Sequence, residues 1–321
     1  MTGPKSAVSV HRRACAAFQR AQDAIIDHQL DPPQKAHRAW PSLHSVRAWA
    51  NTIAGRHRGP ERAAVVTASY GGVDRGVRRQ MAQDIPVDWI VLTDDEDLRV
   101  PPPWRVVHAP ARFARPALAA KVPKMMPPVG VPDVVWIDAS LQVTSHSFVR
   151  NALAARHDGV AAFIHPRRDC IFDEAAVLLE RASHGAPYAD QPIKEQVAAY
   201  RAEGHPLHAG LYACGVLAWD LANPHAVELG RAWLAECERW SFRDQVSFPV
   251  LCRRLGITPG VFPVPLVERE GRGFVANRWL RIWPHTEVPY TGASQQQARS
   301  KTSAGPGPVA SAGPGPADGR G

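Results

Sequence analysis

Six short apolar runs, each breaking off into small or polar residues, constrain the fold more than any other feature of this 321-residue chain. They are AAVVTASYGG (63–72), VDWIVLTDD (87–95), WRVVHAP (104–110), DVVWIDAS (133–140), GVAAFIHP (159–166) and GLYACGVLAWD (210–220). Several lack the apolar–polar alternation of a strand with one wet face, so they belong to a sheet covered on both sides. Helical spacing between and after them predicts helices over 173–184, 190–203, 225–240 and 241–256. Gly256 ends the last of these, and Pro249 interrupts it. ALAAKVPKMMP (117–127) predicts a short helix and a turn. The expected class is α/β, with a mostly parallel central sheet flanked by helices.

The ends differ from this middle. Residues 7–30 carry apolar positions at helical spacing and stop at Asp31-Pro32-Pro33, which predicts an extra helix within a basic extension, 1–60. Residues 294–321 contain SAGPGP twice and offer nothing to bury, which predicts a disordered tail. The folded domain is expected over 61–293. The ends hold +6 and +2 of the formal charge of +8, so the domain itself is formally neutral. A nucleic-acid reader needs a basic face on its folded part, and none is expected here. No run reaches the length of a membrane span, and the first residues have no apolar core of signal-peptide length. Five scattered cysteines with no C-x-x-C spacing speak against zinc and disulfide frameworks and fit a reducing, cytoplasmic setting.

Ligands of open α/β sheets bind outside the carboxyl ends of the strands, and three of these ends are polar. The first presents Thr67, Ala68 and Ser69 before Gly71-Gly72. The second presents Thr93, Asp94 and Asp95, with Asp94 able to meet a ribose or a base amine. The third is Asp138, a carboxylate beside the small Ala139 and Ser140. Each also has a bland reading as a turn residue or loop cap. Neither G-x-G-x-x-G nor a Walker A sequence follows the first strand. Lys121 and Lys124, shortly before the Asp138 strand, could neutralise a diphosphate or be solvated surface lysines. HPRRDCIFDEA (165–175) places His165, Arg168 and Glu174 after a strand, suited to recognising hydroxyls or phosphate. Its acids equally suit a helix N-terminus. In SFRDQVSF (241–248), Ser241 and Asp244 approximate a capping box, which leaves Arg243 and Gln245 unexplained.

Taken together, KVPKMMP, VVWIDAS, FIHPRRDCIFDEA, KEQVAAYRAEGHP, GLYACGVLAWD and SFRDQVSF resemble a glycosyltransferase-like domain family. It is named after a plant mucilage-related transferase and a plant protein described as an alkaline ceramidase. The resemblance covers roughly residues 61–260. It implies a GT-A-like fold, a nucleotide-binding half followed by an acceptor-binding half, distantly similar to the glycogenin-type transferases. On that analogy Asp138 takes the first place of a metal-holding D-x-D, and Asp244-Gln245 the place of a D-Q pair lining the donor-sugar pocket. Thr67 and Asp94 would face the nucleoside. Ser140 stands where the second D-x-D carboxylate is expected, so Mn²⁺ or Mg²⁺ would need a helper, for which His285 is a weak candidate. Alternatively, Lys121, Lys124 and Arg243 balance the diphosphate.

The resulting expectation is transfer of a hexosyl-type sugar from a nucleoside diphosphate sugar to an acceptor hydroxyl. Asp138 would anchor the diphosphate, Lys124 and Arg243 stabilise its charge, and Asp244 and Gln245 hold the sugar. His165, Arg168 and Glu174 would shape the adjacent pocket. Asp244 and Glu174 are both candidate general bases. Two other readings stand beside this one: an amide or glycoside hydrolase, and a sugar- or nucleotide-binding module without turnover. No G-x-S-x-G elbow or H-E-x-x-H helix supports the hydrolase.

Overall fold

The computed structural model describes residues 62–73, 77–183, 188–269 and 273–283. The expected amino-terminal helix, the tail and His285 lie outside them. In chain order come β1 (Ala63–Ser69), β2 (Val87–Thr93), β3 (Arg105–His108), α1 (Pro116–Ala119), α2 (Lys121–Met125), β4 (Asp133–Ile137) and β5 (Leu141–Val143). Then follow α3 (Phe148–Ala154), β6 (Val160–Ile164), α4 (Ile171–Ser183), α5 (Ile193–Ala202) and β7 (Tyr212–Asp220). The described chain closes with α6 (Pro224–Arg239), α7 (Asp244–Arg254), β8 (Gly260–Val261), β9 (Val267–Arg269), β10 (Gly273–Ala276) and β11 (Leu280–Ile282).

Seven strands form the central sheet in the order β3-β2-β1-β4-β7-β6-β8. All are parallel except β7, which runs antiparallel to both neighbours. The chain builds outward from β1 through β2 to β3, then returns to lay β4 on the other side of β1. The strand order therefore reverses between β1 and β4, and the crevice beyond their carboxyl ends is where such sheets take ligands.

Every residue of β1 is buried, as expected of a strand covered on both faces. Its side chains alternate between two cores. Ala63 and Val65 join Val135, Ile137 and Phe148 of α3. Ala64, Val66 and Ala68 join Trp136, Trp219, Trp233 of α6 and Phe248 of α7. The period-two geometry of a strand thus connects one apolar run to two helical layers. A second sheet, β5-β11-β10-β9, is antiparallel and begins three residues after Asp138.

Two expectations need correction. Ser241 does not cap α7: its hydroxyl donates to Gln196 Oε1 at 2.6 Å, and the helix starts after Arg243 with no side-chain cap. Helical spacing extends the last helix too far forward, over 241–243, where the chain turns and Asp244 N–H donates back to Phe242 O at 3.0 Å. Pro123 lies inside α2 rather than ending a helix, because in a first turn its missing N–H costs nothing. Among the described residues no helix is long and apolar enough to cross a membrane.

The placement of α2 depends on Gly230 of α6. A Cβ there would stand 2.1 Å from the carbonyl oxygen of Met125, and the Trp219 indole donates to the neighbouring Lys124 carbonyl at 3.1 Å. Gly230→Ala should therefore push α2 off its seat and lower the unfolding free energy by about 1–3 kcal/mol, the usual cost of overpacking. Urea denaturation followed by tryptophan fluorescence measures it; an unchanged midpoint would show that α2 is not clamped there.

Candidate functional site

Asp138 follows directly on β4, and its main chain is fixed on both sides. Its N–H donates to Gly215 O at 2.8 Å, and its carbonyl accepts from Leu141 N at 2.9 Å. The turn is thus closed by backbone groups, which frees the carboxylate. Oδ1 accepts from the Trp136 indole at 2.8 Å and faces the Lys124 ammonium at 3.3 Å. The side chain stays 44% exposed. Gly215 makes the room: it lies in β7 opposite a register shift, and a Cβ there would sit 3.2 Å from Asp138 Oδ2.

Lys124 is nearly enclosed, its side chain 3% exposed, and its ammonium reaches Asp244 Oδ2 at 2.6 Å. Lys121, one turn earlier on α2, reaches the same oxygen at 2.8 Å. Burial alone would push the Asp244 carboxyl up. The two ammonium groups outweigh it and hold the carboxyl well below the ordinary carboxylate range. Burial likewise disfavours the charged Lys124, yet Asp138 and Asp244 raise its pKa above the usual lysine value. Removing one member of such a cluster leaves a buried charge uncompensated, at a cost of about 3–5 kcal/mol.

A second buried cluster adjoins the first through the Arg243–Asp244 peptide. Glu174, in the first turn of α4, accepts from Arg243 at 2.8 Å through Oε1 and from Arg168 Nε at 2.7 Å through Oε2. Arg243 also donates to the Tyr188 hydroxyl at 3.3 Å. Burial raises the Glu174 carboxyl, and Arg243 and Arg168 more than reverse this. His165 accepts at Nδ1 from the backbone N–H groups of Arg167 and Arg168, while Nε2 lies 3.9 Å from Glu174. Burial is the main force on this ring and, with Arg168 and Arg243 nearby, lowers its pKa to about 4. His165 is therefore neutral in the folded protein at neutral pH.

Next to the lysine cluster, at the carboxyl end of β1, opens a pocket of about 360 Å³. Its walls include Ser69, Tyr70, Arg115, Ala117 and Phe242, and the Arg115 guanidinium lies 5.3 Å from the Phe242 ring centroid. Asp94 accepts from the N–H of Gly71, the residue after Tyr70, at 3.0 Å.

The structure thus brings Asp138, Lys121, Lys124 and Asp244 into one group, and His165, Arg168, Glu174 and Arg243 into another. Gln245 is buried beside Asp244, and its Oε1 has no hydrogen-bond partner. Thr67 is a correction. It is fully enclosed within β1, and its hydroxyl finds no partner; Ser69 and Tyr70, nearer the strand's end, line the pocket instead. Asp244 and Glu174 are each paired anions with a lowered proton affinity, which makes either a weak general base. Tyr70, Phe242 and Gly215 all lie inside the motifs already singled out, at positions passed over in favour of polar neighbours. Arg115 had no distinguishing signal.

The residues do not fit a resident divalent cation. Asp138 Oδ1 already has two donors, and the Ser140 carbonyl accepts from Trp283 N at 2.9 Å. Asp244 is taken by two lysines. A divalent cation on Asp138 would meet the Lys124 ammonium, already 3.3 Å from Oδ1, and like charges at such range repel. Among the described residues, the grouping of mixed metal-ligand types is Cys170, Asp173 and His208, away from Asp138; two of them lie in the 165–175 stretch beside Glu174.

No protein-family model matches the chain, and no curated protein does. Among solved structures, one described as a WbbM bifunctional glycosyltransferase in its apo form aligns with 65% of this chain at 13% identity, with a TM-score of 0.34. The chain spans 39% of that protein's length.

One measurement tests the surroundings of His165. The unfolded His165 ring binds a proton below about pH 6.5 and the folded one only below about pH 4, so acid favours the unfolded chain across that window. His165→Gln should remove up to about 3 kcal/mol of the fall in stability between pH 6.5 and 4. Parallel pH–stability curves for the two proteins would contradict a buried neutral ring.

Proposed function

We propose that this protein is a glycosyltransferase-like enzyme that moves a sugar from a nucleoside diphosphate sugar to an acceptor hydroxyl. The observation that carries the reading is a juxtaposition. At the point where the strand order reverses, an aromatic-walled pocket of about 360 Å³ adjoins a fixed lysine–carboxylate cluster. The pocket volume falls within the range of roughly 300–1,000 Å³ typical of ligand sites. Its Tyr70 and Phe242 rings suit a nucleobase and ribose, with Asp94 nearby for their polar groups. Lys121 and Lys124 suit the diphosphate, and the exposed oxygen of Asp138 suits a hydroxyl. Gln245, with a buried acceptor lacking a partner, suits the donor sugar. The six sequence blocks and their family resemblance support the same assignment.

In this reading the protein's contribution is electrostatic. Charge develops on the diphosphate as the sugar departs, and ammonium groups already held in place by Asp244 meet it with little reorganisation. Glu174 fixes Arg168 and Arg243 at the far side, where the sugar and acceptor would lie. A sugar-nucleotide binder without turnover is the second reading. It is favoured by one observation: both candidate bases, Asp244 and Glu174, are locked in ion pairs.

The test is a calorimetric and turnover screen of nucleoside diphosphate sugars. Ala117→Trp, an exposed position that lines the pocket, should weaken nucleotide binding at least about tenfold with an unchanged melting temperature. Unaltered binding in that variant would remove the pocket from the donor site. Release of nucleoside diphosphate that depends on an added hydroxyl acceptor supports transfer. Release with water alone indicates a hydrolase, and binding without release indicates the silent module. Gly215→Ala should also weaken donor binding by crowding Asp138 Oδ2, with little cost in stability; full affinity in this variant would deny Asp138 a part.

A further inference from the structure

Resting on the nucleotide-sugar reading, we infer that the ammonium group of Lys124 occupies the role of a divalent cation, so that the donor diphosphate binds without metal. The cation-binding motif of the resembled transferases needs two carboxylates. Here the second is Ser140, and the strand-end acid already has a positive charge beside it. Lys124 Nζ lies 3.3 Å from Asp138 Oδ1 and 2.6 Å from Asp244 Oδ2, which makes it a covalently tethered bridge between the two acids.

Three further features make that bridge permanent. Lys124 lies in α2, held by the Trp219 indole on its carbonyl and by the close approach of Gly230 to Met125. Its side chain is buried, so it cannot give way to a solvated ion without α2 moving. Asp244 is shared with Lys121, and a metal taking Asp244 would have to strip two ammonium groups from one carboxylate. Across both clusters, Lys121, Lys124, Arg168 and Arg243 face Asp138, Asp244 and Glu174, one positive charge in excess. That excess belongs to Arg168 and Arg243 around Glu174, next to the balanced lysine cluster, and the partly exposed Lys121 retains N–H groups beyond the one given to Asp244. Asp138 keeps its second oxygen for a ribose or sugar hydroxyl.

The experiment is calorimetric titration of the full chain with UDP, GDP, ADP, CDP and dTDP, each in Mn²⁺ and in EDTA. The expected result is that the nucleotide that binds does so with the same affinity, within about threefold, in both conditions. Binding should weaken with added salt in both, as for contacts carried by ammonium groups. Lys124→Met leaves Asp244 with half its counter-charge and can unfold the domain, so Lys121→Gln carries the mutational arm. It should lose about tenfold or more in affinity in EDTA, with its melting temperature recorded alongside. Binding present in Mn²⁺ and lost in EDTA overturns the inference while leaving the donor site standing. Full affinity of Lys121→Gln in EDTA also overturns it. No binding of any of the five under either condition overturns the nucleotide-sugar reading itself.

Discussion

One carboxylate, Asp244, holds two ammonium groups in one place, the partly exposed Lys121 and the nearly enclosed Lys124. Taking a lysine out of water costs several kcal/mol, and only an anion in contact repays it. Asp244 therefore fixes Lys121 and Lys124, and with them the position of α2 against the carboxyl ends of β1 and β4. Arg243, one residue earlier, continues the same logic into the next cluster, where Glu174 gathers two guanidinium groups. The crevice is lined by charges that were balanced against one another during folding, which leaves them set before any ligand arrives.

The apolar architecture serves this arrangement. Two cores on either side of the sheet account for the two-sided burial of β1, and their helices bring α2, α6 and α7 together above one edge. Trp219 and Trp233 each use a ring face for packing and an indole N–H for position: Trp219 donates to Lys124 O and Trp233 to Asp244 O. The same large side chains that fill the core thus orient the backbone of both ion-pair partners.

Much of this was legible in the chain. The six apolar runs correspond to six of the seven central strands; most are buried on both faces and leave a continuous signal, while β3 is a half-exposed edge. Asp138 stood out because it ends such a run beside small residues. The reversed direction of β7 was not legible, since an apolar strand reads the same in either direction. The second sheet was missed because its strands are three or four residues long, below the length at which alternation can be recognised. Thr67 misled because a hydroxyl in a motif says nothing about which way the pleat turns it. Ser241 misled because its partner, Gln196, is 45 positions away. The pairing of two lysines on one aspartate had no signature at all, since Lys121 and Asp244 are 123 residues apart and meet only through the packing of α2 on α6.

The antiparallel course of β7 has a wider consequence. The ends of β1, β2, β4 and β6 and the beginning of β7 all open on the crevice side. The opposite rim carries fastenings: Arg156 on Asp133 at 2.6 Å, Asp158 accepting from Thr258 N, and Asn223 capping α6. Gly159 turns there with φ near +83°, a conformation that suits glycine. Labour is thereby divided between two edges of one sheet. Sequence change at crevice positions outside the two ion-pair clusters can retune what is bound while the lower edge keeps the strands in register.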